Sequence, residues 1–181
     1  SDLLITQLDK ALEVLGRSQV RSVHITTATD TGPLRFHNED ACYPPSKTVI
    51  SCPPSSKTVA IVCDGIGGQD SGEEASQLAI KVLSQQLQNI PENGDPLTMT
   101  TKLEEFACVA NDAICDHNDN DDRRGRKRMG TTLVMALAHL HQLYITHIGD
   151  SRAYWITPSR CYQVTVDAVS YTHLTLPTML W

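Results

Sequence analysis

Residues 59–76, Val-Ala-Ile-Val-Cys-Asp-Gly-Ile-Gly-Gly-Gln-Asp-Ser-Gly-Glu-Glu-Ala-Ser, decide how this chain folds. The apolar, β-branched run Val59, Ala60, Ile61, Val62 reads as a buried strand. It delivers Asp64 to the strand's end, where Gly65, Gly67 and Gly68 turn the backbone tightly. Ser71 and Glu74 then make the Ser-x-x-Glu pattern of a capping box. Beyond it Ala75, Leu78, Ala79, Val82, Leu83, Leu87 and Ile90 trace one apolar helix face. Strand, acidic turn and helix are ordinary architecture by themselves. A carboxylate on a rigid strand end, beside main chain left bare by glycine, also suits a hard cation. Mg²⁺ and Mn²⁺ prefer oxygen ligands, backbone carbonyls included.

Working outward from this stretch, Leu4, Leu8, Leu12 and Leu15 recur at helical spacing and predict a short amphipathic helix ending near Gly16. Residues 20–27 alternate as a strand, and Asp30-Thr31-Gly32-Pro33 makes a turn. Residues 35–43 read as a second strand, paired with the first or with the strand at 58–63. PPSKTV at 44–49 is nearly repeated as PPSSKTV at 53–59. Two copies are too few for a repeat architecture, and the segment reads as a loop insertion that its prolines keep out of a central strand. A second helix is expected over 97–117, burying Leu103, Phe106, Ala107, Ala110 and Ile114, after a turn at Pro91–Pro96. The stretch DHNDNDDRRGRKR at 116–128 adjoins opposite charges without regular spacing and reads as a solvated loop. Residues 131–140, 142–148, 153–157 and 161–166 read as strands of a meander, with His139 and His141 flanking a hairpin turn. Two helices between sets of strands fit a layered α+β domain.

At 181 residues one domain is the expected count. With 40% hydrophobic and 20% charged residues the composition is that of a soluble globular protein. A net charge of −6 argues against a nucleic-acid partner, whose binders carry basic surfaces. No apolar run approaches bilayer length, and the amphipathic N-terminus is not a secretory signal, so no membrane association is expected. The six cysteines, at 42, 52, 63, 108, 115 and 161, form no C-x-x-C pair. That pattern fits reduced thiols in a cytoplasmic protein.

Two further stretches carry chemistry. In Arg35-Phe36-His37-Asn38-Glu39-Asp40-Ala41 the adjacent acids would point to opposite faces of a strand, approaching a common ion only near its end. Arg35 offers a planar guanidinium suited to bidentate phosphate binding. In His147-Ile148-Gly149-Asp150-Ser151-Arg152-Ala153-Tyr154, following Met129-Gly130-Thr131-Thr132-Leu133-Val134, an apolar strand again ends on Gly-Asp. Asp150 and Arg152 alone would pass for a structural turn pair.

RFHNEDA, VCDGIGGQDSGEEAS, MGTTLV and HIGDSRAYWI, in this order, resemble the metal-dependent serine/threonine protein phosphatases of the PPM class, also called type 2C. Any one of them is weak, but the ordered set is specific, and it spans residues 20 to about 167. Ile66 stands where eukaryotic relatives carry a histidine, so the resemblance is to the bacterial type. It implies two packed antiparallel β-sheets flanked by helices, with a metal cluster at one edge. It also implies two Mn²⁺ or Mg²⁺ ions bridged by Asp64, with the Gly65 carbonyl, Glu39 and Asp40 as further direct or water-mediated ligands. A third ion would sit at Asp150, and Arg35 would hold the phosphoryl group. The implied reaction is hydrolysis of phosphoserine or phosphothreonine in proteins by a hydroxide generated on the ions, with no cysteine nucleophile. Isoleucine at 66 cannot serve as the general acid proposed for the eukaryotic histidine. The implied partners are phosphorylated protein substrates and a cognate serine/threonine kinase.

The resemblance stops at Asp167, which matches a strand-end pattern of the family. The remainder, AVSYTHLTLPTMLW, has no counterpart there, nor do two aspartates that complete the family's metal site. The expected division is therefore an N-terminal helix or upstream remnant at 1–19, a partial phosphatase domain at 20–167, incomplete at its C-terminus, and a non-native tail at 168–181. A chain lacking those ligands is expected to be weak or inactive. The competing reading is a non-catalytic pseudophosphatase or phosphoprotein-binding regulatory module. Retention of Arg35, Glu39, Asp40 and Asp64 speaks against it, and metal-dependent turnover discriminates the two. A phosphohydrolase acting on nucleotides or small phosphoesters is a third reading, disfavoured because no P-loop is present.

Overall fold

Apolar alternation and turn chemistry produce twelve regular elements in the computed structural model, which describes residues 7, 23–52, 57–67, 71–92, 94–125, 128–140, 142–166 and 170–175. They are β1 (Val23–Thr26), β2 (Asp40–Tyr43), β3 (Val49–Cys52), β4 (Thr58–Ile66), α1 (Ser71–Gln86), α2 (Pro96–Asn120), β5 (Gly130–Thr131), β6 (Leu133–His139), β7 (Gln142–Ile148), β8 (Tyr154–Ile156), β9 (Cys161–Gln163) and β10 (Ser170–Thr175). A 3-10 turn at Leu87–Asn89 extends α1. The main sheet runs β10-β7-β6-β4-β2, with β5 pairing the end of β4, and every pairing in it is antiparallel. β1 pairs with β3 and β8 with β9 in separate two-stranded ladders. The class is α+β, as expected.

Strand β4 shows why the core sits where it does. Ile61 and Cys63 are fully buried, while Val62, Asp64 and Ile66, on alternate positions, are exposed. The buried side meets Met135, Leu137 and Tyr144 from β6 and β7, and Ala79, Leu83, Leu103 and Phe106 from the two helices. Each large side chain buried in this way contributes roughly 1.5–3 kcal/mol. The helices therefore cover one face of β4 and leave its Asp64 face open. Helix α2 begins as the sequence dictates: Asp95 caps it by accepting from the Thr98 amide at 3.0 Å, with Pro96 in the first turn.

Several expectations change. Only Asp40–Tyr43 of the predicted strand 35–43 is extended, and it pairs with β4. Asn38 explains the late start: its amide donates to Thr29 Oγ1 at 2.8 Å and its carbonyl oxygen accepts from the Asp40 amide at 3.1 Å. Such local bonds compete with a strand ladder. The supposed loop insertion contains β3, a strand off the main sheet, with Pro44 and Pro45 outside its ladder. The predicted loop at 116–128 begins as helix, since α2 continues to Asn120. Buried Asn118 holds this extension by donating to the Met129 carbonyl at 2.9 Å and accepting from its amide at 2.8 Å. Glu74 also reaches across to this region: His117 Nε2 lies 2.7 Å from one carboxylate oxygen and Arg123 Nη2 lies 2.8 Å from the other.

His139 ends β6 with Nε2 at 2.9 Å from the Glu92 carbonyl, a structural role. The predicted helix at 4–15 lies outside the described residues except for Gln7, as does His141. Residues 170–175, placed beyond the domain by the sequence, form β10 against β7.

Candidate active site

Antiparallel pairing sets the central geometry. The Gly65 amide donates to the Glu39 carbonyl at 3.0 Å, so Glu39 and Gly65 form a hydrogen-bonded pair. The next pair, Asp40 opposite Asp64, is then of the non-hydrogen-bonded kind, in which side chains approach most closely. Both aspartates are exposed, and Asp64 projects from β4 on the face opposite Ile61 and Cys63. Partial burial raises the Asp64 carboxyl above its ordinary range, and the Asp40 charge and hydrogen bond raise it further. The Asp150 charge acts in the same direction, and Arg35 acts against it. Thus Asp40, Asp64, Asp150 and Arg35, far apart in sequence, share one electrostatic neighbourhood.

The strand end bearing Asp64 is held by hydroxyl groups. Its carbonyl accepts from the Thr132 amide at 2.9 Å and from Thr131 Oγ1 at 3.0 Å. Its amide donates to Thr132 Oγ1 at 3.0 Å. Thr132 Oγ1 lies 2.6 Å from Ser151 Oγ. Sequence reading assigned no role to Thr131, Thr132 or Ser151. The only available signal was that the motifs MGTT and GDSR contain them.

Glu39 and Gly65 occupy the other side of this junction. The Glu39 carboxylate pairs with the Arg35 guanidinium and is largely buried. It lies against the start of α1, where a Cβ added to Gly72 would stand 3.0 Å from Oε1. A helix N-terminus favours a carboxylate there. At Gly65 an added Cβ would come within 2.0 Å of the Gly72 carbonyl oxygen and 2.5 Å of the Glu39 carbonyl oxygen. Only glycine lets β2, β4 and α1 meet, and the Gly65 carbonyl itself faces Gly72. Adjacent Cys63 is no nucleophile: burial pushes its thiol up to about 12, against a smaller opposing hydrogen bond from Thr131.

Among the described residues no three His, Cys, Asp or Glu side chains close into a finished coordination shell. The donor chemistry nevertheless fits a hard divalent cation. Asp40 and Asp64 present oxygens at the closest type of cross-strand pair, and Asp64 carries repulsion from two other carboxylates that Arg35 only partly offsets. Glu39, engaged by Arg35, stands apart from that pair.

Residues 36–174 match the family model for protein phosphatase 2C. Among curated relatives, the serine/threonine phosphatase stp of Listeria monocytogenes is 30% identical over 146 residues, covering 80% of this chain and 54% of that protein. The Mycobacterium tuberculosis serine/threonine protein phosphatase PstP is 34% identical over 140 residues, covering 77% of this chain and 24% of that protein. A crystal structure of the M. tuberculosis phosphatase PstP/Ppp superposes with a TM-score of 0.62 at 30% identity, covering 82% of this chain and 55% of that one. The PstP catalytic domain has also been solved in complex with two manganese ions, matching at the same TM-score of 0.62. The chain spans about half the length of the stp relatives it matches. Its sequence match and its fold together establish that the chain belongs to the protein phosphatase 2C family.

Proposed function

We propose that this chain carries the metal-binding part of a protein phosphatase that hydrolyses phosphoserine and phosphothreonine in proteins. The apposition of Asp40 and Asp64 at a non-hydrogen-bonded pair, with Asp150 nearby, carries the reading. Two Mn²⁺ or Mg²⁺ ions, with a third at Asp150, supply Lewis-acid chemistry by acidifying water and screening phosphate charge. Asp64 and Asp40, paired across β4 and β2, would hold the ions. Glu39 and the Gly65 carbonyl would be further ligands, direct or through water. Arg35, exposed and already within electrostatic reach of Asp64, exchanges Glu39 for phosphoryl oxygens and neutralises charge as the P–O bond breaks. Ile66, exposed at the end of β4, offers no proton, so the leaving alkoxide takes its proton from solvent.

The partners are phosphorylated proteins and the serine/threonine kinase that supplies them. No helix among the described residues is long and apolar enough to cross a membrane, and the described cysteines Cys42, Cys63, Cys108, Cys115 and Cys161 are free thiols. The free thiols support a cytoplasmic setting. The test is turnover of p-nitrophenyl phosphate with Mn²⁺, with EDTA, and with Asp64→Ala. Any turnover by this partial chain is expected to be weak, manganese-dependent and removed by the substitution. Turnover indifferent to EDTA, or equal in the variant, would overturn the proposal.

A further inference from the structure

The acidic residues of the site arrive on different strands. Asp64 belongs to β4 and Asp150 follows β7, and β6 lies between these strands in the sheet. Their mutual repulsion would drive the two strand ends apart unless something ties them. Thr132, the residue just before β6, touches both. Its side chain is buried, 3% exposed. Its methyl group faces Gly149, whose φ of +98° is open chiefly to glycine and whose added Cβ would stand 2.8 Å from Thr132 Cγ2. With the methyl so placed, the hydroxyl turns to the Asp64 amide at 3.0 Å and to Ser151 Oγ at 2.6 Å. The Asp64 amide donates to Thr132 Oγ1, which can still share a proton with Ser151 in either direction.

We propose that Thr132 and Ser151 form a hydroxyl clasp that fixes the end of β4 to the turn after β7, and that the resulting Asp64–Asp150 spacing sets the site's affinity for divalent cations. Thr132 and Ser151 are positioning residues, since neither is required to touch the ion. The inference rests on the carboxylates being metal ligands, and not on turnover. Valine at 132 keeps the volume and methyl contacts but deletes the hydroxyl, taking from the part-buried Asp64 amide its hydroxyl partner. Serine keeps the hydroxyl and loses the methyl.

Calorimetric titration of the whole chain with Mn²⁺ tests this, alongside thermal denaturation in EDTA. Supporting groups behind metal ligands are typically worth 10–100-fold in affinity, so Thr132→Val is expected to weaken Mn²⁺ binding about 10-fold or more. Thr132→Ser should remain within about 3-fold of the parent, because it retains the bond that matters. Equal Mn²⁺ affinity in Thr132→Val would overturn the clasp. So would an equal loss in Thr132→Ser, which would assign the effect to the methyl contact, or a parent chain that takes up no Mn²⁺. Should Thr132→Val fail to fold, Ser151→Ala decides. Weakened binding with unchanged melting in EDTA supports the clasp, and undiminished binding overturns it. A chain whose Mn²⁺ affinity follows this clasp, yet whose phosphoester turnover is indifferent to EDTA, would refute the proposed function and leave the clasp standing.

Discussion

Two acidic groups in this molecule have opposite fates. Around the end of α2, Glu74 and Asp121 are answered by the chain's own cations. Arg123, its side chain only 19% exposed, bonds both carboxylates and approaches Ser71, and His117 joins Glu74. At the end of β4, Asp64 feels the charges of Asp40 and Asp150, and Arg35, which acts against them, is paired with Glu39. The first group is dense in sequence and self-neutralised, so it staples α1 to the end of α2. The second is drawn from separate stretches, and its Asp64 carboxyl is raised on balance despite Arg35, which is the charge pattern that the proposed metal site requires. Local charge density is a poor guide to a metal site; unanswered charge is a better one.

The largest effect expected from this contrast is metal-dependent stability. A ligand at 100 times its Kd stabilises the folded state by about 2.7 kcal/mol. For a domain of this size that is about 5–10 °C in Tm. Mn²⁺ should give such a shift in the parent, and Asp64→Asn should remove it. A shift surviving in Asp64→Asn would move the cation to some other group and dissolve the contrast.

A smaller effect is expected at the neutralised group. Arg123→Ala should lower Tm by a few degrees, because it strands Glu74 and Asp121, while leaving the Mn²⁺ shift intact. If instead the manganese response fell with the staple, the two groups would be one coupled system.

The smallest effect has an unusual sign. The folded chain holds the Asp64 proton more tightly than the unfolded chain does. The stability this group contributes is therefore full below the ordinary carboxylate range and is lost as pH rises through the raised folded value. At neutral pH in EDTA, Asp64→Asn should then stabilise the protein. Asp64 is largely exposed and its repulsion is screened, so the gain should be about 1–2 °C. Melting curves at pH 7 in EDTA would check this, and a fall in Tm would show that Asp64 has a structural partner worth more than its repulsion.

Much of this was legible in the sequence. The β4 run, the apolar face of α1 and the meander of β6 and β7 follow from periods that tertiary contacts reinforce. Asp64 and Asp150 were legible because each ends an apolar strand on a turn. Asp40 was legible only together with Glu39, since alternation could not say which acid would face Asp64. What stayed hidden depends on partners distant along the chain. The part of α2 beyond the expected helix, Asn118, Asp119 and Asn120, consists of poor helix formers, with Asn118 held by Met129 and Asp119 by Arg128. The hydroxyl bonds from Thr131 and Thr132 to Asp64 span more than sixty residues and leave no local periodicity. Strand β3 was hidden by its flanking prolines, which signal a loop even when a two-stranded ladder fits between them.

Asp40 comes from β2, a four-residue strand at the edge of the main sheet. Edge strands that short open by local unfolding long before the central strands do. Half of the candidate site is thus borrowed from the least secure rung of the ladder, whereas Asp64 is anchored on both sides, by β2 and by Thr132 just before β6. Occupancy of the site should therefore be written in amide exchange: protection should rise at Ala41 and Tyr43 when a cation draws Asp40 toward Asp64, with little change at Met135 or Leu137. The flank of the protein that exchanges fastest when bare would then become its own reporter of loading.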